Sequence, residues 1–373
     1  MKVLALEPFY GGSHRAFLDG WTAHSRHRWT VLGLSPHHWK WRMRHGAITL
    51  AERVAAEIAG GAAWDCLLCS DMLDLACFRG LAPANLARLP AVAYFHENQL
   101  TYPVREERER DHHFAFTNLT TALAADAVWF NSAFHRDAFL TALPDWLRRM
   151  PDHAPLAAVE QVRARSAVRP PGIDPFPPRP ARAPGPLRIL WAARWEHDKG
   201  PDDLLAALDL LAERGVDFRL GVIGEQFPEV PTAFPEIERR FARQIDHWGY
   251  QEGRAAYRAC LAWADVIAST AHHEFFGLAV AEAAAAGCLP FLPPRLAYPE
   301  LFPPAQGHAP SYYDGTPAGL AQSLADAAAR LAHDDLWQGD PTRARRAVER
   351  FTWPILVPQL DAALASVTRA QTA

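Results

Sequence analysis

Between Ala271 and Pro290 the chain reads A-H-H-E-F-F-G-L-A-V-A-E-A-A-A-A-G-C-L-P. Two carboxylates, Glu274 and Glu282, stand eight positions apart around a Phe275-Phe276-Gly277 turn. The apolar run Ala264 to Ile267 reads as a buried strand ending in Ser269-Thr270. Leu278 to Ala286 is a run of strong helix formers, stopped by Gly287-Cys288. The order is therefore strand, loop, helix, with Glu274 in the loop and Gly277 where the helix begins. A helix start offers unpaired N–H groups and the positive end of the helix dipole, which together seat a phosphate. Glu282 falls two turns further along, about 12 Å from the loop at the helical rise. One acid can then meet a sugar and the other a ribose, with a diphosphate between them.

A second constellation supplies the opposite charge. In A-A-R-W-E-H-D-K-G-P, Arg194 and Lys199 lie on the loop between a strand beginning at Leu187 and a helix beginning near Asp202. Two cations there would neutralise a diphosphate as it leaves. Gly224-Glu225 end another strand, Arg219 to Ile223, and Trp248-Gly249-Tyr250 follow the next helix. No Asp-x-Asp pair is placed to hold a metal at a diphosphate, so the expectation is a site without metal or cofactor.

The first half carries different chemistry. Val3 to Leu6 reads as a strand, followed by E-P-F-Y-G-G-S-H and a helix bearing Phe17, Leu18 and Trp21. A Gly11-Gly12 turn lets a ligand approach the backbone, and Ser13 and His14 stand beside it. Ala91 to Phe95 is a buried strand that ends in His96-Glu97-Asn98-Gln99, at the ligand end of a parallel sheet. His96 can exchange hydrogen bonds there, with Glu97 to orient it or to act as a base. In P-H-H-W-K-W-R-M-R-H, Lys40, Arg42 and Arg44 alternate with Trp39, Trp41 and Met43. Cations interleaved with rings suit the phosphates and exposed bases of a nucleic acid, but the pattern alone fits a half-buried strand with a solvated basic face better. In a strand the three cations would form a row about 13 Å long. The mixed-charge run Arg105 to Arg110 reads as a solvated helix face, and Trp146 to Ala167 as a surface insertion.

These segments need scaffolds. At 373 residues the chain suits two α/β domains. The boundaries read as a first domain at 1–169, a stiff Pro-rich linker at 170–186, a second domain at 187–350 and a final helix in 351–373. Five cysteines, an odd number, point to reduced thiols and a cytoplasmic location. There is no run of eighteen apolar residues, so no membrane span is expected, and the opening M-K-V-L-A-L reads as a strand and not a signal peptide. Through Pro170 there are 19 Lys and Arg against 17 Asp and Glu, and beyond it 19 against 25. The slight basic excess of the first part favours an anionic partner there, though weakly.

The Glu-x7-Glu stretch resembles the donor site of retaining GT-B glycosyltransferases of the glycogen-synthase-like class. F-Y-G-G-S-H, H-W-K-W-R, Y-F-H-E-N-Q-L-T-Y-P-V, F-N-S and P-D-H are similar to one narrow branch, the queuosine-tRNA mannosyltransferases, as are E-F-F-G-L-A-V-A-E and L-A-Y-P-E-L-F-P. The resemblance runs from residue 1 to about 305 and implies two doubly wound Rossmann-like domains facing a central cleft, with the last helix crossing back to the first domain. It implies mannose transfer from GDP-mannose to the queuosine base of a tRNA, of the tRNA-Asp type, with retention at the anomeric carbon. It implies a donor site of Gly12, Arg194, Lys199, Gly224, Glu225, Tyr250, Glu274, Phe275, Phe276, Gly277, Leu278 and Glu282. The acceptor would meet Ser13, His14, Lys40, Arg42, Arg44, His96, Glu97 and Asn98, and His96, Glu274, Arg194 and Lys199 would carry the reaction. Two alternatives stay open. A glycosyltransferase with another sugar nucleotide and a small or glycan acceptor would share every donor residue. A non-catalytic RNA-binding protein on this fold would need a damaged donor site, and each donor residue above is present.

Overall fold

The computed structural model describes residues 1–104, 110–179, 181–307 and 311–370. The chain separates into two compact units, Met1–Gly172 with Trp353–Ala373, and Ile173–Thr352. The run 105–110 falls almost wholly outside the described residues.

The first unit is built on six parallel strands: β1 (Lys2–Glu7), β2 (Arg28–Gly33), β3 (Cys66–Ser70), β4 (Ala91–Phe95), β5 (Ala127–Phe130) and β6 (Ser166–Val168). Their order is β2-β1-β3-β4-β5-β6. β3, β4 and β5 are buried at every residue, as near-continuous apolar runs in a parallel sheet covered on both faces require. Cys66 and Cys69 point to opposite faces of β3 and are both buried thiols. One face packs under helices of the unit. The other packs against the last helix, Trp353–Ala370, whose Trp353, Leu356, Val357, Leu360 and Leu364 meet Val3, Phe17, Trp21, Tyr94 and Trp129. Asp361 of that helix is buried and accepts hydrogen bonds from Trp21 Nε1 and Ser25 Oγ, both at 2.8 Å.

The second unit has five parallel strands: β7 (Leu187–Ala192), β8 (Phe218–Ile223), β9 (Ile245–Gly249), β10 (Val266–Ala268) and β11 (Leu289–Phe291). Their order is β11-β10-β7-β8-β9. In each sheet the chain leaves a central strand in both directions. That creates a switch point between β1 and β3 in the first unit and between β7 and β10 in the second, and open α/β sheets bind ligands beyond the strand ends at such points.

Three readings change. Residues 36–45 are not a strand: the helix Trp39–Ala59 begins there, so the cations do not form one row. Its buried residues Met43, Gly46, Ala47, Leu50, Ala51 and Val54 have the spacing of one helical face. The segment 146–167 is not a surface insertion. Trp146 closes the buried end of the helix Ala133–Leu147, Leu156–Arg165 is a helix, and β6 pairs with β5. The described residues of 175–186 belong to the second unit and are not a linker between the units, because Arg179 and Arg182 both bond the buried Asp265 at 2.8–2.9 Å.

Candidate active site

In the second unit, the loop after β7 and the loop after β10 meet at the switch point. The carbonyl of Asp198 accepts from His272 N at 2.8 Å and His273 N at 3.2 Å. Thr270 Oγ1 donates to the Lys199 carbonyl at 2.8 Å, and Trp191 Nε1 donates to that hydroxyl at 3.0 Å. Gly200 lets the loops close. It has φ +65°, and a Cβ there would stand 2.3 Å from the Thr270 carbonyl oxygen.

These bonds fix Lys199, which is 6% exposed. Its ammonium donates to the His273 carbonyl at 2.8 Å, and lies 3.1 Å from Asp198 Oδ2 and 3.5 Å from Glu274 Oε2. Burial works against the Glu274 charge, but Lys199, the Phe276 N–H and the other groups around it together outweigh burial and hold the carboxyl below its usual range. Burial, then the nearby Lys199, push His273 down to about 4, so it stands neutral beside the ammonium. Arg194 is partly exposed and pairs with Glu196 at 3.2 Å. Gly277, at φ +94°, begins the helix Leu278–Ala285 with no side chain capping it, which leaves the first N–H groups for a ligand. A small cavity is lined by Trp191, Lys199, Ser269, Glu274, Gly277 and Tyr298. Phe275 and Phe276 are buried, and Leu278 is half-buried. Tyr298 OH bonds Ser269 Oγ at 2.6 Å and secures the loop.

Glu282 is buried on the same helix. Tyr257 OH donates to Oε2 at 2.8 Å, and Arg254 Nη2 lies 3.5 Å from Oε1. Burial pushes its carboxyl above the usual range. Gly224 and Glu225 follow β8. A Cβ on Gly224 would lie 1.7 Å from the Ala193 carbonyl oxygen, and the Glu225 side chain is exposed. Tyr250 follows β9 and is 64% exposed, a ring open for stacking.

In the first unit the polar residues gather at the ends of β1, β3 and β4. Gly12 (φ +50°) and Ser13 open the helix Gly12–His24 and are exposed. His14 is buried, with Nδ1 3.1 Å from Glu7 Oε2, and its ring stacks on His96 at 4.0 Å between centroids. Glu97 Oε1 accepts from Gln99 Nε2 at 2.9 Å. Asn98 is buried, with both ends of its amide bonded to Thr101, so it holds the turn. Lys40 and Arg44 are exposed; Lys40 lies over the Trp39 ring and Arg44 over Phe114. Arg42 turns away to Ser35, donating to its carbonyl at 3.0 Å and to Oγ at 2.7 Å. Trp41 is 62% exposed.

Among the described residues, Glu7, His14 and His96 form the one set of ligand-type atoms within 4.8 Å of one another. Two imidazoles on one tetrahedral ion would keep their centroids about 5 Å apart. The observed rings are closer, 4.0 Å apart and tilted by 33°, so a shared tetrahedral ion does not fit them as they stand. Glu7, Asp71, Asp198 and Tyr298 escaped the sequence reading. For Glu7 and Asp71 the available signal was an acid at or directly after the end of a buried strand, as in L-A-L-E and L-L-C-S-D; Asp198 and Tyr298 carried none.

The comparisons fit this division. Residues 2–173 match the family described as tRNA-queuosine alpha-mannosyltransferase N-terminal, and residues 174–345 match glycosyl transferases group 1. A tRNA-queuosine alpha-mannosyltransferase of Drosophila melanogaster is 36% identical over 313 residues, 81% of each chain. A GDP-mannose-dependent alpha-(1-6)-phosphatidylinositol dimannoside mannosyltransferase of Mycobacterium tuberculosis is 27% identical over 64% of this chain and 57% of its own length. Sucrose-phosphate synthase from Thermosynechococcus elongatus has a similar fold, with a TM-score of 0.72 at 14% identity, covering 99% of this chain and 100% of that one. An Anabaena protein solved in complex with UDP gives 0.66 at 17% identity, covering 98% and 100%. The likeness to these neighbours shows the fold, which is GT-B.

Proposed function

The chain belongs to the tRNA-queuosine alpha-mannosyltransferase family, and from that premise we propose that it moves mannose from GDP-mannose to the queuosine base of a tRNA, with tRNA-Asp as the type. One observation supports the donor side above others. Lys199, Glu274 and the uncapped helix at Gly277 meet around one small cavity at the switch point of the second unit. That arrangement suits a sugar on a diphosphate: Lys199, Arg194 and the helix N–H groups take the phosphates, and Glu274 takes sugar hydroxyls. Glu282 is assigned the ribose, and Tyr250 the base. The M. tuberculosis relative's name supports GDP-mannose as the donor.

GDP-mannose carries its sugar in the α configuration, and an α product means retention. The accepting oxygen bonds the anomeric carbon on the face that the diphosphate leaves. The carbon–oxygen bond to phosphate breaks, and the acceptor proton goes to the departing phosphate oxygen. Lys199 and Arg194 stabilise the charge that develops there, so the proposal needs no metal.

The first unit takes the tRNA. Lys40 and Arg44 stand four apart on one face of the helix Trp39–Ala59, with the exposed Trp41 beside them. Cations for phosphates next to a ring for a base suit an unpaired RNA strand. A tRNA substrate makes the cytoplasm the place of work. No helix among the described residues is long and apolar enough to cross a membrane.

The donor is tested by thermal stabilisation. GDP and GDP-mannose should raise the midpoint of the protein, and UDP and UDP-glucose should do so less. The reverse order would replace GDP-mannose with another donor.

A further inference from the structure

Two buried acids behind His96 have no role in the reaction described above. Glu7 ends β1 and Asp71 follows β3, the strands that flank the switch point of the first sheet. Glu7 is 1% exposed and fully engaged. Its Oε1 accepts from Phe9 N at 2.9 Å and Ser70 Oγ at 2.8 Å, and its Oε2 holds His14 Nδ1 at 3.1 Å. Asp71 is 0% exposed. Its Oδ1 accepts from His96 N at 2.8 Å, and its Oδ2 is buried with no partner among the described residues. The His96 ring lies on His14 and beside Phe17 and Tyr94, at centroid distances of 4.0, 5.1 and 4.7 Å.

We propose that Glu7, acting through His14, and Asp71, acting through the His96 backbone amide, are positioning residues that hold the His96 ring for the accepting hydroxyl. This rests on the mannosyltransferase reading. Three bonds on the Glu7 carboxylate leave His14 one orientation, and His14 in turn supports the face of His96. Asp71 fixes the start of the loop that carries His96. An acid buried with one oxygen unpartnered costs free energy, a burden typical of sites under functional constraint.

Charge supports the geometry. Burial pulls His14 down, yet the Glu7 carboxylate, with the charges of Asp71 and Glu97, outweighs it and lifts the ring to about 9, so it is protonated near neutral pH. Burial, then the charges of His14 and His135, push His96 well below the usual range. Burial pushes Asp71 up, against the pull of His14. Glu97 also faces this group. A neutral His96 keeps a ring nitrogen with a lone pair, which can accept a hydrogen bond from the attacking O–H. The proton itself still leaves on the phosphate, so the reaction balance is unchanged.

The test combines kinetics with imidazole NMR. Glu7→Gln preserves shape and removes charge. It is expected to lower kcat about tenfold or more and to leave KM for tRNA and affinity for GDP near wild type. Asp71→Asn, which keeps the oxygen bonded to the His96 amide, should retain kcat, and Asp71→Leu should lose it. Histidine-labelled wild type, assigned with His14→Gln and His96→Gln, should show a charged His14 and a neutral His96 near neutral pH. Full kcat in Glu7→Gln, a raised KM with intact kcat, or a neutral His14 in wild type would overturn the assignment. So would transfer that a chelator abolishes and zinc restores. The wild-type spectrum needs neither acceptor nor a folded Glu7 variant. A wild type that transfers no mannose but shows the expected spectrum would therefore count against the mannosyltransferase reading and not against the buried cluster.

Discussion

Lys199 shows how much one residue can reveal and how much it conceals. Its type and its spacing from Arg194 suggest an anion site in the bare sequence only when read together with Glu274 and Gly277. What aims it is not visible there: the His273 carbonyl that receives its ammonium is 74 positions away. Asp198 is equally silent in sequence, because its carbonyl does the work of joining the two loops. Lys199→Ala and Arg194→Ala should each cut kcat by about 10²–10³ while the fold survives. Near-normal kcat in either folded variant would remove that residue from the diphosphate. Gly200 makes a separate prediction about stability. With positive φ and a carbonyl 2.3 Å from where Cβ would stand, Gly200→Ala should destabilise the second unit by about 1–3 kcal/mol. Chemical denaturation followed by probes in that unit measures this, and unchanged stability would contradict the close packing of the loops.

At the scale of elements, the buried strands were readable as apolar runs ending in polar residues, and the helix after Gly277 as a run of alanines. The helix Trp39–Ala59 was misread because its first turn alternates rings and cations with a period of two. The helical period appears only when Met43 is read together with Gly46, Ala47, Leu50 and Val54. The correction changes the prediction for RNA. Arg42 is spent on Ser35, so two cations remain for phosphates. Lys40→Ala with Arg44→Ala should weaken tRNA binding and reduce the salt slope by about 1.4–1.8, and Trp41→Ala should weaken it with little change in slope. Binding across a salt series reads both, and unchanged affinity in both variants would make this face mere surface and favour a small acceptor. The segment 175–186 was misread in the other direction, because a Pro-rich composition conceals the pull of a buried acid. Asp265→Ala would leave the Arg179 and Arg182 charges without their partner and should cost about 3–5 kcal/mol in the second unit. A variant as stable as wild type would show that the segment is held by something else.

For the whole molecule, the order of elements announces two doubly wound sheets, while the chain's return to the first unit through Trp353–Ala370 followed only from the family resemblance. The two units divide the work in the proposed reaction: polar groups at the strand ends of the first face a nucleic acid, and cations at the switch point of the second face a diphosphate. The proposed reaction uses the cations at the diphosphate and no metal, so activity should persist in excess chelator, and loss restored by a divalent ion would defeat that part. The most direct measurement of the central claim is transfer itself. The protein is incubated with GDP-mannose labelled in the sugar and with tRNA-Asp, either carrying queuosine or carrying guanine at the same position. Label should appear on the queuosine base of the first tRNA, and the second should stay unlabelled. Equal labelling of both, or label on a small acceptor and on neither tRNA, would contradict the account.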